Sequence, residues 1–206
     1  MIPIYIAEYS LKEGEKKHQI EHRTGMELLR LGLAELYDIH FEEEQLQEKI
    51  KRGIHGKPFL EGNEGLHFNI SHCAGMAVCG FADAPMGVDA EKIADFKKTL
   101  LKRFLTEQEQ TFMNEISDDP VLYREMFYRF WTLKESYIKW NGMGFSFAPQ
   151  DVSFEIKLNE KHEVLAIECS DKTVCCMQEK VGEDTILSVC IEQRAKEAMQ
   201  LEFRNV

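Results

Sequence analysis

The sequence predicts an α+β fold laid out as two halves that meet near residue 98. Three observations carry that expectation. The first half opens on a strand-like run, Ile2-Pro3-Ile4-Tyr5-Ile6, then shows helical spacing, then short apolar segments parted by turns. The second half puts its helical spacing first and its strand-like segments last. No low-complexity linker separates the halves, and no internal repeat aligns between them.

Taken in order, a charged connector, Leu11 to His18, follows the first strand. Ile20 to Tyr37 is a helix, with Met26, Leu29, Leu33 and Leu36 recurring at threes and fours. Phe41 to Lys51 is a second, more polar helix ending at Gly53, with the acidic run Glu42-Glu43-Glu44 at its start, where the helix dipole favours it. Gly56-Lys57-Pro58-Phe59 opens a loop or short strand. Leu66 to Ile70 and Met76 to Ala82 are neighbouring strands joined by a loop, Ser71-His72-Cys73-Ala74-Gly75. Met86 to Lys92 is the next strand. Lys97 to Phe104 is helical, and Thr106-Glu107-Gln108-Glu109 is a capping box that starts another helix. A long helix from Val121 to Trp140 has a core stripe of Met126, Phe127, Phe130 and Ile138, and Asn141-Gly142 ends it. Val152–Leu158, Val164–Cys169, Val174–Gln178 and Thr185–Ile191 are strands, and the charged tail from Glu192 is helical.

Composition bounds the function. With 206 residues, 44% hydrophobic and 30% charged, the chain is long enough to bury a sizeable core. A formal charge of −11 argues against broad nucleic-acid binding, which needs basic surface. No apolar run would span a bilayer, and the N-terminus lacks the basic and apolar regions of a secretory signal, so the expectation is a cytoplasmic protein. Six cysteines occur without C-x-x-C or zinc-like spacing, and most fall in apolar runs as small buried hydrophobes.

Three clusters could carry chemistry. On a strand, Asp89 and Glu91 leave the same face, where two carboxylates repel unless a cation lies between them. That fits a hard ion such as Mg²⁺ or Mn²⁺, and equally a solvated edge. On a helix, Glu135 and Lys139 share a face at i and i+4, which fits a surface ion pair or a third carboxylate beside a phosphate-binding lysine. Asn69-Ile70-Ser71-His72 could hold a phosphate through a hydroxyl, an imidazole and loop amides, or could be plain turn chemistry.

The order of these clusters decides between the readings. Gly56-Lys57-Pro58, then Phe68-Asn69-Ile70-Ser71-His72, then Gly87-Val88-Asp89-Ala90-Glu91-Lys92, then Trp131-Thr132-Leu133-Lys134-Glu135-Ser136-Tyr137-Ile138-Lys139, resembles the 4′-phosphopantetheinyl transferase superfamily. The match is to its longer, two-halved group and runs from about residue 20 to about residue 150. The G-[VI]-D-x-E and W-[ST]-x-K-E-[SA]-x-x-K signatures are highly specific together.

The resemblance implies two α/β halves, residues 1–98 and 99–206, related by pseudo-twofold symmetry, with the site in the cleft between them and one chain acting as a monomer. It implies transfer of the 4′-phosphopantetheine arm of coenzyme A to a serine of an apo acyl or peptidyl carrier protein, releasing adenosine 3′,5′-bisphosphate. By motif position, Asp89, Glu91 and Glu135 would hold Mg²⁺, or Mn²⁺ in its place. Glu135 would be metal ligand first and base second, acting directly or through a water. Lys139 and Lys134 would stabilise phosphate charge. Arg23, Lys57, Pro58, Ser71 and His72 would contact the coenzyme, with Lys12, Lys16 and Lys17 left open as partners of its 3′-phosphate. Phe145 would lie near the pantetheine arm. Lys97, Lys98, Lys102 and Arg103 form a basic patch for an acidic carrier. Neither nucleic acid nor membrane is expected as a partner. The rivals are a non-catalytic carrier- or nucleotide-binding module and an unrelated Mg²⁺-dependent phosphohydrolase.

Overall fold

The computed structural model describes residues 1–193 and 200–206. Its first layer is a sheet in the order β11-β1-β5-β4, made of β1 (Ile2–Glu8), β4 (His67–Cys73), β5 (Met76–Ala82) and β11 (Leu201–Asn205). Helix α1 (Lys17–Tyr37) covers one face of it. Ile20, Leu28, Leu29 and Leu33 of α1 are buried, and Leu28, Leu29 and Leu33 join Tyr5, Phe68 and Phe81 in one core. Met26 and Leu36, expected in the same stripe, are only partly buried.

The second sheet runs β6-β10-β9, with β6 (Met86–Lys92), β9 (Val174–Val181) and β10 (Thr185–Glu192) antiparallel throughout. Helix α5 (Pro120–Asn141) lies on it and forms the second core through Met126, Phe127, Phe130 and Leu133. Asp119 caps α5 by accepting from the amides of Val121 and Leu122, Pro120 opens it, and Gly142 closes it in the left-handed conformation. The short α3 (Thr99–Phe104) and α4 (Glu107–Glu115) precede α5. The capping box on α4 is present as expected: Glu109 N donates to Thr106 Oγ1, and Thr106 N donates to Glu109 Oε2.

The two sheets are joined by side chains rather than by a ladder. Val88 N donates to Asn69 Oδ1 at 2.9 Å, and Ala90 N donates to Ser71 Oγ at 3.3 Å. Asn69 and Ser71 are two apart on β4, and Val88 and Ala90 are two apart on β6, so the strand period of two lets one edge satisfy the other. Chain order and sheet membership also cross. The β6 strand pairs with β10, and β11 pairs in parallel with β1.

Several expectations give way. The second helix is shorter, α2 (Glu43–Lys49), because Ile50–Arg52 (β2) pairs with Pro58–Leu60 (β3) as a small hairpin. Ser71, His72 and Cys73 belong to β4, paired to Val78, Ala77 and Met76, so the turn is only Ala74-Gly75. The remaining strands, β7 (Phe154–Leu158) and β8 (Val164–Cys169), form a separate antiparallel pair. The helical reading of the tail from Glu192 lies partly on residues 194–199, outside the described residues. Leu201–Asn205 is a strand. The six cysteines are all unbridged. No described helix is long and apolar enough to cross a membrane.

Candidate active site

The site forms where β4, β6 and α5 meet. Helix α5 can approach β6 only because Gly87 has no side chain. A Cβ there would stand 2.1 Å from the Ser136 carbonyl oxygen and 2.4 Å from the Trp140 nitrogen. The helix backbone is the obstacle, so no rotamer relieves it. That contact sets Glu135 and Lys139 opposite Asp89.

Asp89 is 4% exposed and lies at the centre. Its Oδ1 accepts from Lys139 Nζ at 2.7 Å and from Ser71 Oγ at 3.0 Å. Lys139 Nζ also donates to Ser71 Oγ and to the Val88 carbonyl. The Ser71 hydroxyl is thereby saturated, giving its one proton to Asp89 and accepting from Lys139 and from the Ala90 amide. Asp89 Oδ2 is buried and has no hydrogen-bond partner among the described residues. A buried carboxylate oxygen left unpaired is costly, and such an exception calls for an occupant.

Asp89, Glu91 and Glu135 border one side cavity of about 360 Å³, together with Ser71, His72 and Lys139. Trp131 closes its wall and lies against Glu91, whose ionised form its indole N–H favours. Burial, and then the charge of Asp89, pushes the Glu91 carboxyl up to about 7, against the pull of Lys139. Burial and Asp89 also raise Glu135. Three acids thus crowd a site with one ammonium. The predicted Glu135–Lys139 ion pair does not form among the described contacts, because Lys139 reaches Asp89 instead. Among the described residues no three acidic, histidine or cysteine side chains are already drawn in closely enough to enclose an ion.

The cavity opens into a larger cleft of about 860 Å³ that shares His72, Glu135 and Lys139 with it. Pro58 and Lys57 border this cleft. The Lys57 ammonium, however, is turned to the Met86 and Trp140 carbonyls at 2.9 Å each, closing the ends of β6 and α5. Burial brings it down to about 8. A neutral amine has two N–H groups and can keep both bonds. Phe145 is fully exposed on the rim.

Two expected coenzyme contacts are not brought here. Lys134 is fully buried on another face of α5. Its ammonium pairs with Glu109 at 2.9 Å and donates to the Pro149 and Val152 carbonyls. Arg23 is exposed on α1 and does not line the cleft. His18 and His22, one turn apart, line it instead, with Glu21, Arg52, His55 and Arg103. The i, i+4 spacing of His18 and His22 was the available signal. Arg23 is one residue further, about 100° around the helix.

Comparison with known proteins points to one family. Residues 85–190 match the family described as the 4′-phosphopantetheinyl transferase superfamily. The chain is 32% identical over 170 residues to 4′-phosphopantetheinyl transferase Sfp of Bacillus subtilis strain 168, covering 81% of this chain and 74% of that protein. It is 29% identical to 4′-phosphopantetheinyl transferase gsp of Aneurinibacillus migulanus over 68% of this chain and 57% of that one. It is 34% identical to L-aminoadipate-semialdehyde dehydrogenase-phosphopantetheinyl transferase of Xenopus laevis, over 65% of this chain and 47% of the relative.

Proposed function

We propose, for a chain that belongs to the 4′-phosphopantetheinyl transferase superfamily, that the cleft binds coenzyme A and that the 4′-phosphopantetheine arm passes to a serine hydroxyl of an apo carrier protein. The observation that carries this reading is the orphaned Asp89 Oδ2 beside Glu91 and Glu135, at the mouth of a cleft large enough for a nucleotide.

The residues fit a divalent cation by charge and by donor type. The acids are oxygen donors, they outnumber the ammonium, and one oxygen is unpaired. Asp89, Glu91 and Glu135 would hold Mg²⁺, or Mn²⁺, which when bound neutralises charge on the diphosphate of the coenzyme. The carrier serine attacks the β-phosphorus. The bond from that phosphorus to the oxygen of the α-phosphate breaks, and adenosine 3′,5′-bisphosphate leaves. Glu135 would hold the ion first and serve second as the base that takes the serine proton, directly or through a water. Lys139 stabilises the charge that gathers on the phosphoryl oxygens. Ser71 holds Lys139 and Asp89 in register. His72 and Pro58 border the coenzyme. Lys57 supports it from behind, through the ends of β6 and α5.

The basic patch Lys97, Lys98, Lys102 and Arg103 is exposed, with Arg103 on the cleft itself, and would receive an acidic carrier. Reversing these charges should raise KM for the carrier but not for coenzyme A. Further parts of the reading are a monomer working in the cytoplasm, with neither nucleic acid nor membrane as partner, and two halves divided near residue 98.

The test is the intact mass of an apo carrier protein after incubation with the chain, coenzyme A and Mg²⁺, beside a Glu135→Gln control. A gain of one phosphopantetheinyl group, lost in the control, is expected. Release of adenosine 3′,5′-bisphosphate without any carrier would instead identify a hydrolase. Tight coenzyme A binding with no transfer to several carriers would identify a binding module.

A further inference from the structure

Beyond the acid cluster, Glu21 of α1 has no place in the reaction just derived, yet its side chain is only 10% exposed at the edge of the cleft. Carboxylates are rarely covered to this degree without a cationic or hydrogen-bonding partner. Three groups converge on the same oxygen, Oε1. Tyr9 Oη stands 2.9 Å away, but its single proton is shared with the Cys73 carbonyl at 2.8 Å. Lys17 Nζ stands 3.4 Å away on a side chain that is 59% exposed, so water screens it. The third is His72 Nδ1 at 3.8 Å.

His72 is half exposed and borders both the cleft and the acid cavity. It alternates with Ser71 along β4, so one residue faces the Asp89 knot while the next faces the coenzyme side. At 3.8 Å the carboxylate stands just beyond hydrogen-bond reach of Nδ1, and a small closure of the ring onto it would place the proton there and leave Nε2 for the cleft. The carboxylate also stabilises the imidazolium when an anion meets the other side of the ring.

We infer that Glu21, steadied by Tyr9, is a positioning residue that orients His72 as a cationic donor to a phosphate group of coenzyme A. This rests on the reading that the cleft binds that coenzyme. The phosphate belongs either to the diphosphate or to the 3′-position of the ribose, and the two are separable by comparing coenzyme A with its 3′-dephospho form.

The experiment is steady-state transfer kinetics on the full chain with both donors, for wild type, Glu21→Gln, Glu21→Asp, His72→Ala and the double variant Glu21→Gln/His72→Ala. Glu21→Gln is expected to raise KM for coenzyme A about tenfold, the equivalent of one charge-assisted hydrogen bond, with a much smaller change in kcat. Glu21→Asp recovers part of the loss. In the His72→Ala background the Glu21 change adds nothing, because the residue acts only through the ring. A rise with coenzyme A alone assigns the 3′-phosphate, and a rise with both donors assigns the diphosphate. An unchanged KM, or a Glu21 effect that survives without His72, overturns the inference. Calorimetric titration with coenzyme A reads the same shift in Kd without turnover. A protein that binds but never transfers would therefore sink the transferase reading while still deciding this one.

Discussion

Two lysines five residues apart on α5, one fully buried and one partly exposed, each meet a buried carboxylate, and they do opposite things. Lys134 is fully buried, pairs with Glu109, and gains the Pro149 and Val152 carbonyls. Glu109 is equally well served, accepting also from the Thr106 and Phe154 amides. Every charge and proton in that knot has a fixed partner. Lys139 also meets a buried acid, but the acid keeps one oxygen empty, and two more carboxylates stand nearby with raised proton affinity. The first knot is closed and belongs to the fold. The second is open, and its excess negative charge makes sense only with something added. Burial and pairing alone therefore do not mark a functional lysine, whereas an unsatisfied partner does.

Removing one partner from each knot separates the two. Lys134→Ala leaves Glu109 buried and unpaired, and chemical denaturation should show a loss of about 3–5 kcal/mol, the usual result of breaking a buried pair. Lys134→Met, with Glu109→Gln in the same chain, should recover much of it, since a neutral pair of similar volume is tolerated. Lys139→Ala should lower kcat about 10²- to 10³-fold, the range for removing a preorganised transition-state donor, while unfolding shifts much less. A Lys139→Ala protein that transfers normally, or a Lys134→Ala protein that is as stable as wild type, would break the comparison.

The helical and strand periods placed most elements, because they report which face is buried. The stripe Met126, Phe127, Phe130 and Ile138 is the buried side of α5. Asp89, Glu91, Glu135 and Lys139 were legible as a set because period-two and i, i+4 spacing put each pair on one face, and the motif order put the pairs together. What stayed hidden depends on contacts across the chain. Spacing could not show that Lys134 faces Glu109, since residues 134 and 135 differ by about 100° around a helix and either could have faced the cleft. The i, i+4 pairing of Glu135 with Lys139 was a local guess that a stronger distant partner, Asp89, displaces. Ser71-His72-Cys73-Ala74-Gly75 predicts a loop, but its first three residues extend β4, and Ser71 joins Asn69 in holding the β6 amides. Glu21 carried no signal at all, since its meaning lies wholly in Tyr9 and His72.

Gly87 sharpens the comparison from the other side, since it sets how close α5 lies to the open knot while leaving Lys134 untouched. Gly87→Ala would place a methyl group within 2.1 Å of the Ser136 carbonyl. Such overpacking typically costs about 1–3 kcal/mol, and here it must be relieved by moving α5 away from β6. The expected outcome is a modest drop in unfolding stability with a disproportionate loss of kcat, because Lys139 and Glu135 retreat from Asp89. Equal loss in stability and activity would mean that the spacing matters only for packing.

The smallest effect is also the most direct measure of the excess charge. Glu91 holds its proton up to about pH 7 in the folded chain, against about 4.5 when unfolded, and Glu135 shifts in the same direction. Between those values the folded state binds more protons than the unfolded one, so stability falls as pH rises. The contribution is complete below about pH 4.5 and is lost on passing pH 7. In metal-free protein the unfolding temperature should therefore decline over this window, and Glu91→Gln should flatten the decline. A divalent cation competes with those protons, so millimolar Mg²⁺ should stabilise the protein more at pH 8 than at pH 5.5, by no more than about 1–3 kcal/mol for an ion near to well above its Kd. The closed knot gives the control. Lys134→Met with Glu109→Gln should leave both the slope and the Mg²⁺ response in place, because neither residue faces the crowded acids. If the response vanished there and persisted in Glu91→Gln, the assignment of open and closed sites would be reversed.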